Sequence, residues 1–230
     1  MSWIKGKQKA WIDLSTYCNA ACPQCHRTNP NGLEKADWLD LIQWDLNEFR
    51  NAFPRHFLDS IKRFEICGTW GDPCMNKDIF KICEYIIRYS KIPTITISTN
   101  GSMRDEDWWW YLGSMCRERL NVIFTVDGIN QEMHERYRRK TDLEKILNHM
   151  EIIVQSGALA EGFTVVFKHN EMYIDQIAKM CNERGAHHTW VSSDRWHKGD
   201  IFKYRDENNK EYTLEKSTGV YKTYRLADAN

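Results

Sequence analysis

The sequence has no excess of charge of either sign. Its 230 residues include 32 Lys and Arg and 32 Asp and Glu, so the formal net charge is zero. Proteins that bind the phosphate backbone or anionic lipid mainly by charge carry a cationic surface. We therefore expect no bulk binding to nucleic acid.

Long apolar stretches are also missing. The start, MSWIKGKQKAWIDLS, lacks the apolar segment of a secretory signal, and no later run approaches the length of a membrane helix. Apolar residues still make up 42% of the chain, with ten Trp, which is typical of a packed globular protein. These features predict a soluble cytoplasmic protein with no membrane partner.

Strand-like and helix-like patterns alternate along most of the chain. The predicted strands cover residues 9–15, 61–67, 93–98, 120–126, 163–168 and 187–192. The predicted helices cover residues 36–53, 78–90, 105–118, 131–155 and 171–184. Strands joined by helical crossovers run parallel, because antiparallel neighbours need only a short turn. The pattern therefore predicts an α/β fold with six parallel strands.

The chain from Asp194 onward is polar and does not continue this alternation. The segment YRDENNKEYTLEK, residues 204–216, has the pattern of a hairpin. We predict an α/β domain over residues 1–193 and a polar tail over residues 194–230. The tail contains aromatic residues and one histidine that could supply stacking and hydrogen bonds at a binding surface beside the mouth of the domain. These residues are Trp196, His197, Tyr204, Tyr212, Tyr221 and Tyr224.

Four unusual segments each follow one of the first four predicted strands. They are TYCNAACPQC, GTWGDP, TNG and DGIN. Because ligands of parallel α/β folds bind at the carboxyl ends of the strands, we expect these segments to form one site.

Three of the eight cysteines, Cys18, Cys22 and Cys25, have the spacing CxxxCxxC. A structural zinc site needs four ligands, but no second pair is nearby, and His26 is poorly placed beside Cys25. In the other interpretation, the three thiolates hold three irons of a [4Fe-4S] cluster, and the fourth iron stays open for a substrate or cofactor. The spacing leaves both interpretations open.

The motif CNAACPQC after a first strand resembles the cluster motif of the radical S-adenosylmethionine (radical SAM) superfamily. GTWGDP (68–73) resembles that family's GGEP loop, and STNGS (98–102) and TVDG (125–128) resemble its third and fourth strand ends. HERYRR (134–139) resembles a segment of the peptide-modifying and sulfatase-maturing branch, whose Arg meets the methionine carboxylate. That branch often has a C-terminal cysteine-rich domain, but here no Cys follows Cys181.

The resemblance implies a partial (β/α)6 barrel that binds a [4Fe-4S] cluster and S-adenosylmethionine. It implies that Cys18, Cys22 and Cys25 are the ligands of the cluster. It also implies that Arg138, or alternatively Arg139, binds the carboxylate of the methionine moiety. The full set of cofactor-binding residues that it implies is Gly68, Thr69, Gly71, Asp72, Thr99, Asn100, Asp127 and Arg138.

The chain departs from the family pattern at four positions. Gln24 stands where an aromatic residue usually precedes the last cysteine, Thr69 and Asp72 replace the usual Gly and Glu, and GTWGDP contains an additional bulky residue, Trp70. Asp72 also fits a helix cap, and Arg138 also fits a solvated helix start.

The function that the resemblance implies is reductive cleavage of S-adenosylmethionine to a 5′-deoxyadenosyl radical, which abstracts hydrogen from an undetermined substrate. The substrate classes left open are a peptide, a nucleotide or another small molecule, and a glycyl-radical partner. An external flavodoxin-like or ferredoxin-like protein would supply the electron. The alternative is a non-catalytic α/β module that binds zinc or an iron-sulfur cluster and serves interaction.

Overall fold

The structure is a computed structural model that describes residues 9–90, 94–196 and 199–219. Pro93, His197, Tyr221 and Tyr224, which the sequence predictions include, lie outside the described residues. Within the described ranges, no helix combines the length and the apolar character that crossing a bilayer requires.

A single sheet of six parallel strands forms the centre of the fold, and its strand order follows the chain. The strands are β1 (Lys9–Ile12), β2 (Arg63–Ile66), β3 (Thr94–Thr99), β4 (Leu120–Thr125), β5 (Leu159–Val166) and β6 (His187–Ser192). All five neighbouring pairs are parallel, so the carboxyl ends of the strands share one rim. The predicted α/β fold with six parallel strands is confirmed.

Helices connect the strands. They are α1 (Leu46–Ala52), α2 (Arg55–Leu58), α3 (Ile79–Tyr89), α4 (Glu106–Cys116), α5 (Gln131–Glu135), α6 (Leu143–Gln155) and α7 (Ile174–Asn182). Short polar side chains mark the helix starts, because they accept hydrogen bonds from first-turn N–H groups that have no partner within the helix. Asp45, Asp105 and Asp142 each cap the helix that follows.

The predicted helix over residues 36–53 is wrong in its first half. The helix begins only at Leu46, after Asp45 and Glu48 form a capping box. Residues 36–44 instead extend beside the chain that follows β1, where Trp44 N donates to the Leu14 carbonyl at 3.0 Å and Thr16 N donates to Ile42 at 2.9 Å. Backbone pairing with a distant segment has overridden the helical spacing of the apolar side chains.

The predicted helix over residues 131–155 is interrupted. Helix α5 ends at Glu135, the chain turns through Lys140 with a positive φ of 62°, and Asp142 caps the start of α6. This interruption brings Arg138 and Arg139 into a turn near the sheet rim.

The main core lies between the sheet and the helices that cover it. Trp109 of α4 is fully buried and packs on Phe124 of β4 with ring centroids 5.2 Å apart. Its neighbour Trp110 is half exposed, so the run WWW (108–110) is not wholly core. Burial of large aromatic side chains supplies much of the free energy that holds such layers together.

The tail contains an antiparallel hairpin of β7 (Ile201–Arg205) and β8 (Glu211–Glu215), as the sequence predicts. Tyr204 and Leu214 are buried in a second core with Tyr137 and Phe167. The hairpin therefore packs on the side of the barrel that carries the cysteines.

Candidate active site

A cavity of about 680 Å³ opens at the carboxyl rim of the sheet. Ten of the eleven predicted site residues line it, namely Cys18, Cys22, Cys25, Gly68, Thr69, Gly71, Asp72, Thr99, Asn100 and Arg138. Asp127 does not line the cavity. The segments after β1, β2 and β3 therefore meet at this rim as expected, whereas the fourth strand end reaches the cavity through Thr125 and Arg138 and not through DGIN.

The cysteine loop follows β1 and is held by backbone contacts on both sides. Cys25 N donates to the Cys22 carbonyl at 3.0 Å, and Ala21 N donates to the Arg139 carbonyl at 3.0 Å. All three cysteines are free thiols. Burial raises the pKa of Cys18, and it raises the pKa of Cys22 to about 11 against the opposing charge of Arg138.

The arrangement of ligating side chains bears on the zinc interpretation. Across the described ranges, no three His, Cys, Asp or Glu side chains converge in a way that could hold a single metal ion. His26 is exposed and does not line the cavity, so it does not complete a site with Cys25. A cluster needs separated sulfurs instead, because each thiolate binds a different iron.

The other cysteines lie away from the cavity. Cys67 and Cys74, which flank the GTWGDP loop, are buried, and the Cys67 thiol contacts the Glu65 carbonyl at 3.5 Å. The remaining three pack in the main core as small apolar side chains, as their helical positions predict: Cys83, Cys116 and Cys181.

The GTWGDP loop approaches the chain after β1 very closely. A Cβ on Gly71 would lie 2.2 Å from the Ser15 carbonyl oxygen, so only glycine fits there. Asp72 N donates to the Tyr17 carbonyl at 2.7 Å, and Thr69 N donates to Asp13 Oδ1 at 2.7 Å. These contacts fix the loop against the start of the cysteine segment.

Asp72 joins the second and third strand ends. Its carboxylate accepts hydrogen bonds from Cys74 N at 2.9 Å, from Thr99 Oγ1 at 2.9 Å, and from Asn100 N at 2.8 Å. The cap that the sequence suggested for Asp72 is therefore present, on a short 3₁₀ turn over Pro73–Met75. Burial raises the pKa of Asp72, although these hydrogen bonds favour the carboxylate.

Arg138 reaches the cysteine loop from the fourth strand end. Its Nε donates to the buried Asp127 carboxylate, and its Nη1 lies 3.9 Å from Cys22 Sγ. Asp127 Oδ1 also accepts from Val165 N at 2.6 Å. Burial alone would lower the pKa of Arg138, but the facing carboxylate raises it, so the guanidinium stays charged.

Sequence reasoning missed a polar junction that joins the cysteine loop to the segment after β6. Ser193 Oγ donates to Gln24 Oε1 at 2.8 Å, and Arg195 Nη1 donates to the Gln24 carbonyl at 3.0 Å. Gln24 is buried here, at the position where the family pattern has an aromatic residue. That departure was the one signal in the sequence that pointed to this contact.

The tail meets the cavity on both sides of the hairpin. Asp194 and Arg195 line the cavity before β7, and Lys216, Ser217 and Gly219 line it after β8. Three aromatic side chains that the sequence suggested for a binding surface do not line the cavity but pack in or against the second core: Trp196, Tyr204 and Tyr212. Polar segments before and after the hairpin thus form the described tail's share of the cavity wall.

Two curated proteins are similar to this chain over about three quarters of its length. The chain is 24% identical over 181 residues to "GTP 3',8-cyclase" of Aliarcobacter butzleri (strain RM4018), covering 76% of this chain and 51% of the relative. It is also 24% identical over 181 residues to "AdoMet-dependent heme synthase" of Oleidesulfovibrio alaskensis (strain ATCC BAA-1058 / DSM 17464 / G20), covering 77% and 42%. The chain spans about half the length of these relatives.

Solved structures share the fold. Native anSMEcpe with bound AdoMet superposes with a TM-score of 0.63 at 18% identity, covering 80% of this chain and 52% of that one. Streptococcus suis SuiB bound to S-adenosylmethionine superposes with a TM-score of 0.61 at 17% identity, covering 96% and 44%. The family profile described as the radical SAM superfamily matches residues 12–181, and the chain therefore belongs to the radical SAM superfamily.

Proposed function

We propose that this chain is a radical SAM enzyme that binds a [4Fe-4S] cluster through Cys18, Cys22 and Cys25 and binds S-adenosylmethionine in the adjoining cavity. The observation that carries the proposal is the presence of three free cysteine thiols on one wall of that cavity. Residues of the four other motif segments, GTWGDP, STNGS, TVDG and HERYRR, also line the cavity.

The donor set fits a cluster with one open iron. Three thiols line the cavity, and among the described residues no further Cys and no His does so. Thiolates are the ordinary ligands of iron-sulfur clusters, and an open coordination position is typical of catalytic metal sites. The fourth iron would therefore be left for S-adenosylmethionine.

The cavity has the size and the polar groups for such a cofactor. Its volume of about 680 Å³ is in the range of small-molecule sites. The backbone of Gly68–Gly71 and the side chain of Asp72 would face the methionine amino group, and Arg138 would face its carboxylate. Thr99 and Asn100 support Asp72 through hydrogen bonds and would line the same subsite.

When bound, the reduced cluster and S-adenosylmethionine would supply a 5′-deoxyadenosyl radical that abstracts hydrogen from the substrate. The protein would hold the cofactor and the substrate at the correct distance and orientation and would exclude water, because a misplaced radical reacts with the wrong atom. Asp127 holds the Arg138 guanidinium in place, and the direct cofactor contact that the resemblance implies for Asp127 stays a prediction. Gly71 allows the loops after β1 and β2 to close on each other.

The substrate would enter at the side of the cavity formed by the segment after β6 and the end of the hairpin. In this proposal, residues 1–193 form the cofactor-binding barrel and residues 194–230 form a tail that helps to admit the substrate. The names of the two relatives indicate different compounds, because one name contains GTP and the other contains heme. One solved structure of SuiB holds a precursor peptide. Peptides and small molecules therefore both remain candidate substrates, with an external one-electron donor as partner.

Anaerobic reconstitution with iron and sulfide tests the proposal. We expect about four irons per chain, and release of 5′-deoxyadenosine from S-adenosylmethionine under a strong reductant. A variant with Cys18, Cys22 and Cys25 all changed to Ala should lose both. A matched variant with Cys83, Cys116 and Cys181 changed to Ala should keep both, because those thiols lie in the core. One tightly held zinc and no 5′-deoxyadenosine would instead favour a non-catalytic module.

A further inference from the structure

Arg27 is a buried cation in the wall of the cavity. It follows Cys25 by two residues, and only 8% of its surface is exposed. Its Nε donates to the Trp70 carbonyl at 3.3 Å, and its Nη2 donates to the Thr16 carbonyl at 3.2 Å. The side chain thus connects the cysteine loop to the segments after β1 and β2.

The charge of Arg27 has no carboxylate to balance it within the described part of the chain. Arg138 pairs with Asp127, and Arg139 lies 3.7 Å from Asp206, whereas Arg27 forms no ion pair there. Asp72 lines the same cavity, but its oxygens accept hydrogen bonds from Thr99, Asn100 and Cys74. Burying a cation costs free energy unless an anion faces it.

The anion that would face Arg27 is the proposed cluster, because Arg27 lines the same cavity as the three cysteines. Arg138 also reaches the cysteine loop, but its charge pairs with Asp127. Arg195 donates to the Gln24 carbonyl from the segment after β6 and is less buried than Arg27. Among the described residues, Arg27 is therefore the buried guanidinium of this cavity wall whose charge no carboxylate pairs.

A cluster ligated by three thiolates carries net negative charge, and one-electron reduction increases it. Net charge and hydrogen bonding near a cluster set its reduction potential. We propose that Arg27 is a positioning residue that balances the negative charge of the thiolate-bound cluster and raises its reduction potential. This inference rests on the proposed function.

The test is a redox titration of the reconstituted full chain, followed by absorbance and electron paramagnetic resonance. Arg27→Gln keeps an N–H donor for the Trp70 carbonyl but removes the charge, so we expect a shift to a more negative potential. Arg27→Lys keeps the charge, so its potential should stay close to that of the unaltered chain. Arg184→Gln is the matched control, because that arginine donates to the Met180 carbonyl and does not line the cavity, so the potential of this variant should not change.

The outcomes separate this inference from the proposed function. If the unaltered chain holds no cluster, the proposed function fails and the inference fails with it. If the cluster forms and Arg27→Gln keeps the original potential, the inference alone is wrong.

If Arg27→Gln holds no cluster, the iron content of Arg27→Lys is compared with that of the unaltered chain. A cluster retained in Arg27→Lys supports a role for the charge. Loss from both variants, with unfolding temperatures unchanged, would mean that the shape of the side chain matters and would overturn the inference.

Discussion

Arg138 Nη1 lies 3.9 Å from Cys22 Sγ, although 116 residues separate the two in sequence. The contact links the turn after α5 to the cysteine loop, while Asp127 holds the other side of the guanidinium. A single side chain thus couples the fourth strand end to the proposed cluster site.

Replacing Arg138 by Lys should weaken S-adenosylmethionine binding roughly ten- to a hundredfold, the equivalent of about 1.5 to 3 kcal/mol. Lysine keeps a charge for Asp127 but loses the planar pair of donors that suits a carboxylate. Anaerobic equilibrium dialysis on the reconstituted protein measures the affinity. Arg136→Lys is the control, because Arg136 is exposed on the same turn. Equal affinity in the two variants would remove Arg138 from the proposed cofactor site.

Gly71→Ala should destabilise the protein and weaken cofactor binding, because the added methyl group would meet the Ser15 carbonyl oxygen at 2.2 Å. The loops after β1 and β2 would have to separate, and we expect a loss of at least about 2 kcal/mol in the free energy of unfolding. Urea unfolding measures this loss. Thr69→Ala, which alters an exposed side chain in the same loop, should change the stability little. A Gly71→Ala protein with unaltered stability would show that the loops do not need this approach.

Glu171 holds the segment after β8 against the barrel. Its carboxylate accepts hydrogen bonds from Thr218 N at 2.6 Å and from Lys168 Nζ at 2.7 Å. Glu171→Gln should weaken these charge-assisted bonds and speed hydrogen exchange of residues 216–219. The Glu171→Gln protein should still bind the cluster and should still release 5′-deoxyadenosine in the absence of substrate.

Glu183→Gln is the control for this change, because Glu183 forms only a surface pair with Lys179. Unchanged exchange at Thr218 in Glu171→Gln would contradict the assigned contact. Truncation after Ser193 is a less specific test, since it would also remove Tyr204 and Leu214 from the second core.

His134 should make the fold sensitive to acid. The imidazole is fully buried, accepts from Asp127 N at Nδ1, and has its pKa lowered to about 3 by burial and by Arg138. The unfolded chain takes up this proton near pH 6.5, whereas the folded chain does not. Above about pH 6.5, His134 therefore does not reduce the free energy of unfolding. As the pH falls from 6.5 towards 3, the free energy of unfolding decreases by up to about 1.4 kcal/mol per pH unit.

Urea unfolding between pH 5 and pH 7.5 would measure this slope. In His134→Gln the slope should be flatter, whereas His56→Gln should leave it unchanged because His56 is exposed. Equal slopes in the two variants would show that His134 is not the acid-sensitive group.

The strands and the cysteine site were predictable because their signals are local. Runs such as TITIST in β3 favour strands whatever surrounds them, and the spacing of Cys18, Cys22 and Cys25 restricts the metal chemistry. Residues 36–44 were wrongly predicted because their backbone pairs with residues near Leu14, a contact that helical spacing does not encode. The contact of Gln24 with Ser193 spans 169 residues, and the departure of Gln24 from the family pattern was the one sequence signal that pointed to it. Arg27 was overlooked because arginine side chains are mostly exposed, and nothing local in the sequence predicts the burial of this one.

The order of the sheet, β1 to β6 in chain order, has a consequence for how new specificities arise on this scaffold. The loops after β1, β2, β3 and β6 each contribute to the wall of the cavity, and the place of each in the sheet follows its place in the sequence. The cysteine loop follows one edge strand, and the segment that begins at Ser193 follows the other. Insertions or exchanges after β6 would therefore change the substrate-facing sector with few demands on the cofactor loops, provided that the contact of Ser193 with Gln24 is kept.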